Sequence, residues 1–188
     1  MHWIDVDGYR LPRLLAGHPG LELCNTWAGW GEPPAPHREW LRDYDHLVAW
    51  AVHAGLIEAA AAPERGTGPD GVLDEVRALR TALHDVLLDP ADTAAFAVVA
   101  RHAERAAATA RFVPDPPRWE LTPGPDLPLR ACARAAAELL ASPARGQVRA
   151  CPGDDCGWLF LDPRGRRRWC AMAVCGNRAK VRAYAARR

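Results

Sequence analysis

The cysteines are the residues of this sequence best suited to chemistry, and they are unevenly spread. Cys24 and Cys132 stand alone, whereas Cys151, Cys156, Cys170 and Cys175 fall within 25 residues. The cluster reads Cys-x4-Cys, thirteen residues, Cys-x4-Cys. Two equal thiol pairs, each on its own turn, offer two ligands from each side to a tetrahedral ion. Zinc takes four thiolates at about 2.3 Å in a closed structural site. A catalytic zinc keeps an open position and commonly includes His or a carboxylate, and no histidine follows His102. A redox dithiol is the competing reading, but Cys-x4-Cys is not the thioredoxin-type Cys-x-x-Cys spacing. Pro152 and Gly153 bend the first turn, and Gly157 and Gly176 follow a cysteine where the backbone has to pass close to the metal. Cys24 and Cys132 lie on apolar stripes and are expected to pack as small core residues.

Charge separates along the chain in step with the cysteines. The net charge of +1 is the balance of residues 143–188, with 11 basic and 3 acidic side chains, and residues 1–142, with 13 and 20. The C-terminal end is therefore +8 and the remainder −7. Four thiolates on one zinc ion carry −2, so the loaded end keeps about +6, a field that favours a polyanion. Arg164, Arg166, Arg167 and Arg168 fall near the middle of this segment, and Arg178, Lys180, Arg182 and Arg187 fall after the last cysteine. Guanidinium groups stay charged and pair bidentately with phosphate, so these eight are the candidate nucleic-acid contacts. Two other uses compete for them. Arginines beside a zinc–thiolate cluster offset its negative charge, Arg178 first among them, and the basic end could dock on the acidic body. Asn177 could cap a helix or hydrogen-bond a thiolate.

The elements that must position these groups follow from periodicity. In 188 residues, 49% hydrophobic and 25% charged, there is material for one globular domain with a small satellite. Residues 1–36 are rich in Gly and Pro, including Pro33, Pro34 and Pro36; within them Leu21 to Trp27 alternates as a short strand, and Ala28-Gly29-Trp30 could turn it into a hairpin. Trp40, Leu41, Tyr44, Leu47, Val48 and Ala51 make a helical stripe that Gly55 stops. Residues 56–62 follow as a short helical extension. A second helix carries Val72, Val76, Leu79, Leu83 and Val86, with Asp70 as its expected N-cap; a third runs from about Ala91 to Phe112. Pro114 to Pro125 is a proline-dense connection in which Trp119 to Leu121 could pair with the strand near Leu23, and a fourth helix covers about Asp126 to Ala141. Between the cysteine pairs, Trp158 to Leu161 reads as a strand, Asp162 to Gly165 as a turn and Arg166 to Trp169 as the returning strand. Residues from Asn177 onward lack a breaker and form a terminal helix. The fold class expected is mainly α with minor β: a helical domain with a short β-hairpin over 1–142, and a zinc-ribbon-like module with a terminal helix over 143–188.

Trp169 to Lys180, with Cys175-Gly176-Asn177-Arg178 at its centre, resembles the CGNR zinc finger, and Cys151-Pro152 through Cys156-Gly157-Trp158-Leu159-Phe160-Leu161-Asp162 fits the same family. Members of that family carry an N-terminal helical domain called ABATE, and Leu21 to Trp27, with Asn25-Thr26, is similar to its opening segment. The resemblance implies structural zinc on Cys151, Cys156, Cys170 and Cys175 and a regulator of transcription with a nucleic-acid role. The reading of the whole chain is that the zinc module contacts DNA, with RNA as an alternative, and that the helical domain senses a ligand or mediates association.

The body offers less chemistry. Eight tryptophans exceed ordinary usage, and Asn25, Trp27, Arg38 and Trp40 could line a pocket for a small-molecule effector; the plainer reading is a tryptophan-rich core. His46 and His53 are seven apart, not the spacing near four that a helical metal pair needs. No Gly-rich phosphate loop, G-x-S-x-G or H-E-x-x-H occurs, so no enzyme is expected. No apolar run approaches the roughly 20 residues of a membrane helix, and Met1 to Arg10 has no apolar signal core, so the expected location is cytoplasmic. The competing expectation for the whole chain is a zinc-stabilised protein–protein adaptor that binds no nucleic acid.

Overall fold

A computed structural model describes residues 3–30, 38–66, 68–154 and 156–187. The proline stretch at 33–36 lies outside the described residues. The chain opens with a hairpin, β1 (Trp3–Val6) and β2 (Tyr9–Pro12), joined through Asp7-Gly8. Both turn residues have positive φ, 49° and 83°, which the two-residue turn of a twisted hairpin requires. Helices α1 (Pro19–Cys24), α2 (Tyr44–His53), α3 (Val72–Leu88) and α4 (Thr93–Ala108) follow, with a 3-10 turn at Ala59–Ala61 between α2 and α3. A second hairpin, β3 (Ala110–Pro114) and β4 (Pro117–Leu121), leads into α5 (Leu127–Ala141). The C-terminal end holds a 3-10 turn at Pro143–Gln147, β5 (Val148–Ala150), β6 (Leu159–Leu161), a π-helical turn at Met172–Gly176 and α6 (Asn177–Ala185).

The helical stripes are the core. Leu47 and Trp50 of α2, Val76, Leu79 and Leu83 of α3, Val99 of α4, and Cys132, Ala136 and Leu139 of α5 are buried in one cluster. Leu159 of β6 joins the same cluster, so the C-terminal end shares the core of the body.

Four local expectations are corrected. Leu21 to Cys24 is helical: Pro19 sits in the first turn and His18 Nδ1 accepts the Gly20 N–H at 3.1 Å. The segment is buried on every side, and a short apolar run buried all round has no period to separate helix from strand. The cap of α3 is Gly71, at φ 82°, rather than Asp70. The third helix stops at Ala108, because Arg111, Phe112 and Val113 pair with Arg118, Trp119 and Glu120 instead of continuing it. Trp119 to Leu121 therefore pairs with its sequence neighbour, not with the segment near Leu23.

Candidate metal centre

Strands β5 and β6 deliver the first cysteine pair. Cys151 follows β5 and its N–H donates to Trp158 O at 2.8 Å; Cys156 N–H closes the intervening turn on Gly153 O at 3.1 Å. Cys170 precedes the π-helical turn that carries Cys175. The turn at Gly153 is built around sulfur: a Cβ there would lie 3.1 Å from Cys175 Sγ. Gly157 serves another purpose, since it has φ 66° and lies against Trp30 of the body.

The four Sγ atoms lie within 4.8 Å of one another, with Cys156–Cys170 at 3.6 Å and Cys170–Cys175 at 3.5 Å. A tetrahedron of zinc–sulfur bonds of about 2.3 Å has edges of about 3.8 Å, so the spacing fits the ion. It is too long for disulfides, whose sulfurs sit about 2.0 Å apart. The acid chemistry agrees. Hydrogen bonds from Cys156, then Cys170, pull the Cys151 thiol down to about 6, while the Cys156 and Cys170 thiols are pushed up by bonding to Cys151. One thiolate forms readily and suppresses the next. A dication removes that conflict, because metal binding displaces thiol protons. A structural zinc held by these four thiolates would tie the two turns together. Cys24 and Cys132 are buried in the core of the body, in a different cluster from these four, and burial pushes the Cys132 thiol up to about 12.

The expected returning strand at Arg166 to Trp169 does not form, because β6 already has a partner on each edge. On one side it pairs with β5, Arg149 opposite Phe160. On the other, Asn25 grips Leu159 twice, accepting its N–H at 2.8 Å and donating to its carbonyl at 2.9 Å, and Leu161 N–H donates to Ala16 O at 2.8 Å. The Asp162 carboxylate instead accepts the N–H groups of Arg166 and Arg167.

More bonds stitch this end to the body. Trp158 Nε1–H donates to Trp27 O at 2.7 Å, Gly29 N–H to Cys156 O at 3.1 Å, and His84 Nε2 lies 3.4 Å from Gly157 O. Trp30 stacks on His84 with centroids 3.7 Å apart.

Residues 17–143 match the family model ABATE, described as "Putative stress-induced transcription regulator". The chain belongs to the ABATE family. Residues 147–188 of this ABATE protein match the CGNR zinc finger, which accounts for the four-thiolate site. No curated protein matches the chain. No helix among the described residues is long and apolar enough to cross a membrane.

The eight basic candidates of the ABATE protein divide by position. Arg164, Arg166 and Arg168 are exposed around the turn after β6, and Lys180 and Arg187 are exposed on or just beyond α6. Arg167 turns inward: its guanidinium donates to Leu15 O at 2.8 Å, to Trp169 O at 3.2 Å and to Cys170 O, and lies 4.4 Å over Phe160. Arg178 reaches Cys175 Sγ at 3.8 Å, the charge-offsetting position, and Arg182 pairs with Asp154. Asn177 bonds no thiolate among the described contacts; its Nδ2 lies 3.3 Å from Ala173 O.

Among the described residues, the side chains of the tryptophan-rich region pack against other groups. Asn25 is fully buried with both amide atoms committed to Leu159, and Trp40 is buried in the body. Trp27 is half-buried beneath the Arg80 guanidinium, and Arg38 is half-buried with its carbonyl accepting Ala28 N–H. Asn25 is thus an interface residue that spacing alone did not reveal. The signal was Leu159-Phe160-Leu161, a wholly apolar strand that needs cover on both faces.

Proposed function

We propose that this ABATE protein regulates transcription by gripping the nucleic-acid backbone with its zinc end, while the helical body takes up a small effector. The observation that carries the reading is the outward set Arg164, Arg166, Arg168, Lys180 and Arg187, exposed on an end whose opposite side is bonded to the body. Such cations fit duplex DNA through phosphates first; base reading comes second. The reading assigns no catalytic step to the chain.

Fluorescence anisotropy with labelled duplex DNA and RNA, at several salt concentrations, tests it. If about five phosphates are contacted, log K falls against log salt with a slope near −4.5. Replacing Arg164, Arg166 and Arg168 with Gln removes about three units of phosphate contact from that slope while zinc stays bound. Undiminished affinity in the triple variant overturns the reading. One feature favours an adaptor instead: Val181 and Tyr184 on α6 are 68% and 62% exposed. Salt-tolerant capture of a protein, with no nucleic-acid affinity at low salt, decides for that alternative.

A further inference from the structure

Arg130 of α5 is 6% exposed, and a guanidinium is seldom buried so deeply without full pairing. Its pairing is incomplete. One Nη donates to Asp126 Oδ1 at 2.8 Å, and the other reaches the hydroxyls of Thr122 and Thr109 at 3.1 and 3.3 Å. Its Nε–H is buried and has no hydrogen-bond partner. An unmet charged donor of this kind costs more than a neutral one.

Arg130 lines a cavity of about 300 Å³ between the end of α4 and the start of α5. His102 and Arg105 of α4 line the same space, with Leu129 and Ala108 as its apolar wall. The carboxylates nearby do not close it. Asp126 is two-fifths exposed and takes one edge of the guanidinium; Glu75 of α3 holds Arg105 at 2.8 Å and lies 3.8 Å from His102. Each guanidinium thus has one carboxylate, Asp126 within the lining and Glu75 beside it, and the unmet donor is the Arg130 Nε–H.

We infer that this cavity binds a small oxyanion, a carboxylate or phosphate group, on Arg130 and Arg105, with any carbon skeleton against Leu129 and Ala108. Size and lining suit a small organic acid: the space is that of a metabolite, not of a peptide, and the walls are part polar and part apolar. The inference rests on the reading that the body takes up an effector, and it names the place and the class.

The test is NMR titration of the full zinc-loaded chain with sodium phosphate and, separately, sodium benzoate, with ionic strength held by sodium chloride. Saturable shifts of the Arg130 Nε–H and of amides across 105–109 and 122–130 are expected. Response to benzoate beyond phosphate identifies an organic acid; the reverse identifies a phosphate group. Arg105→Gln is expected to weaken binding about tenfold, the loss of one charge-assisted contact, and Arg130→Lys to weaken it further by removing the fork. Should Arg130→Lys not fold, Arg105→Gln, at a half-exposed position, still decides. Shifts matched by chloride alone, or saturation that Arg105→Gln leaves unchanged, overturn the site. The wider reading has its own readout: saturable binding that leaves DNA affinity unaltered keeps the site and removes its effector role.

Discussion

The two sides of the zinc end behave as different materials. The inner side is built like a domain interior: Trp158, Leu159 and Phe160 are essentially inaccessible, and each edge of β6 is hydrogen-bonded. The outer side carries arginines on a turn and a helix with no buried residue among those described. Arg167 and Arg168, adjacent in sequence, fall on opposite sides of this divide. One guanidinium is consumed by three backbone carbonyls, and the other lies 5.0 Å over the Trp169 ring on the exposed side. Basic composition therefore overstates the surface available to a polyanion, and position relative to β6 decides which charges count.

The sharpest way to break the contrast is to remove the metal. Chelation, or Cys156→Ser, is expected to unfold the inner side and destabilise the body with it, because Leu159 belongs to the body's core. Structural zinc supplies on the order of 10 kcal/mol to small modules. Calorimetry should show one cooperative transition at much lower temperature; a body transition left in place would show that the two parts fold independently. Thiol titration reads the same event. Four cysteines should become reactive on chelation, and the buried Cys132 only after full denaturation.

Asn25→Ala comes next. It strips both partners from the buried Leu159 peptide groups at once, and a buried unmet group costs about 1–3 kcal/mol. Denaturant unfolding should report a loss of about 3 kcal/mol with zinc stoichiometry unchanged.

Glu22 makes the inner side sensitive to pH. Its carboxyl is pushed up to about 7, first by burial, against the Ala16 and Gly17 N–H groups that it accepts. A folded-state pKa raised above the ordinary carboxylate range means that the folded chain binds the proton more tightly. The stability that this gives is present at low pH and is lost as pH rises toward 7. The full difference corresponds to about 3 kcal/mol. Glu22→Gln should accordingly stabilise the chain at pH 8 by about 2 kcal/mol and have little effect at pH 5. An equal effect at both values would remove the burial account.

The smallest expected effect sharpens the comparison most. Arg167→Gln should lower stability by about 1–3 kcal/mol through its lost carbonyl contacts. Arg168→Gln should stay within about 0.5 kcal/mol, as surface changes do, yet reduce DNA affinity. Equal stability losses in the two variants would erase the distinction between the sides.

Much of this was readable from residues. The paired cysteine spacing announced the metal, and the stripes of α2, α3 and α5 appeared where apolar residues recur at three and four. Asp7-Gly8 between two alternating segments carried a hairpin signal that the Gly/Pro-rich reading of residues 1–36 obscured. What periodicity could not give was long-range partnership. Asn25 and Leu159 stand 134 residues apart, and nothing local in either segment specifies the other. The Arg130 cavity was hidden for a related reason: a basic residue on a helix stripe reads as surface until its neighbours from α4 and the β3–β4 hairpin are seen to enclose it.

The reach of Asn25 also bears on synthesis. A chain made from its N-terminus lays down α1 early, but the strand that covers it is translated 134 residues later. Until β6 leaves the ribosome, the apolar underside of the nascent body has no lid, and distant closures of this kind are slow and leave sticky surface open meanwhile. Capture of zinc by four thiolates comes later still, because Cys170 and Cys175 follow β6 in the sequence. A product truncated before β6 would lack Cys170, Cys175 and the strand that covers the core.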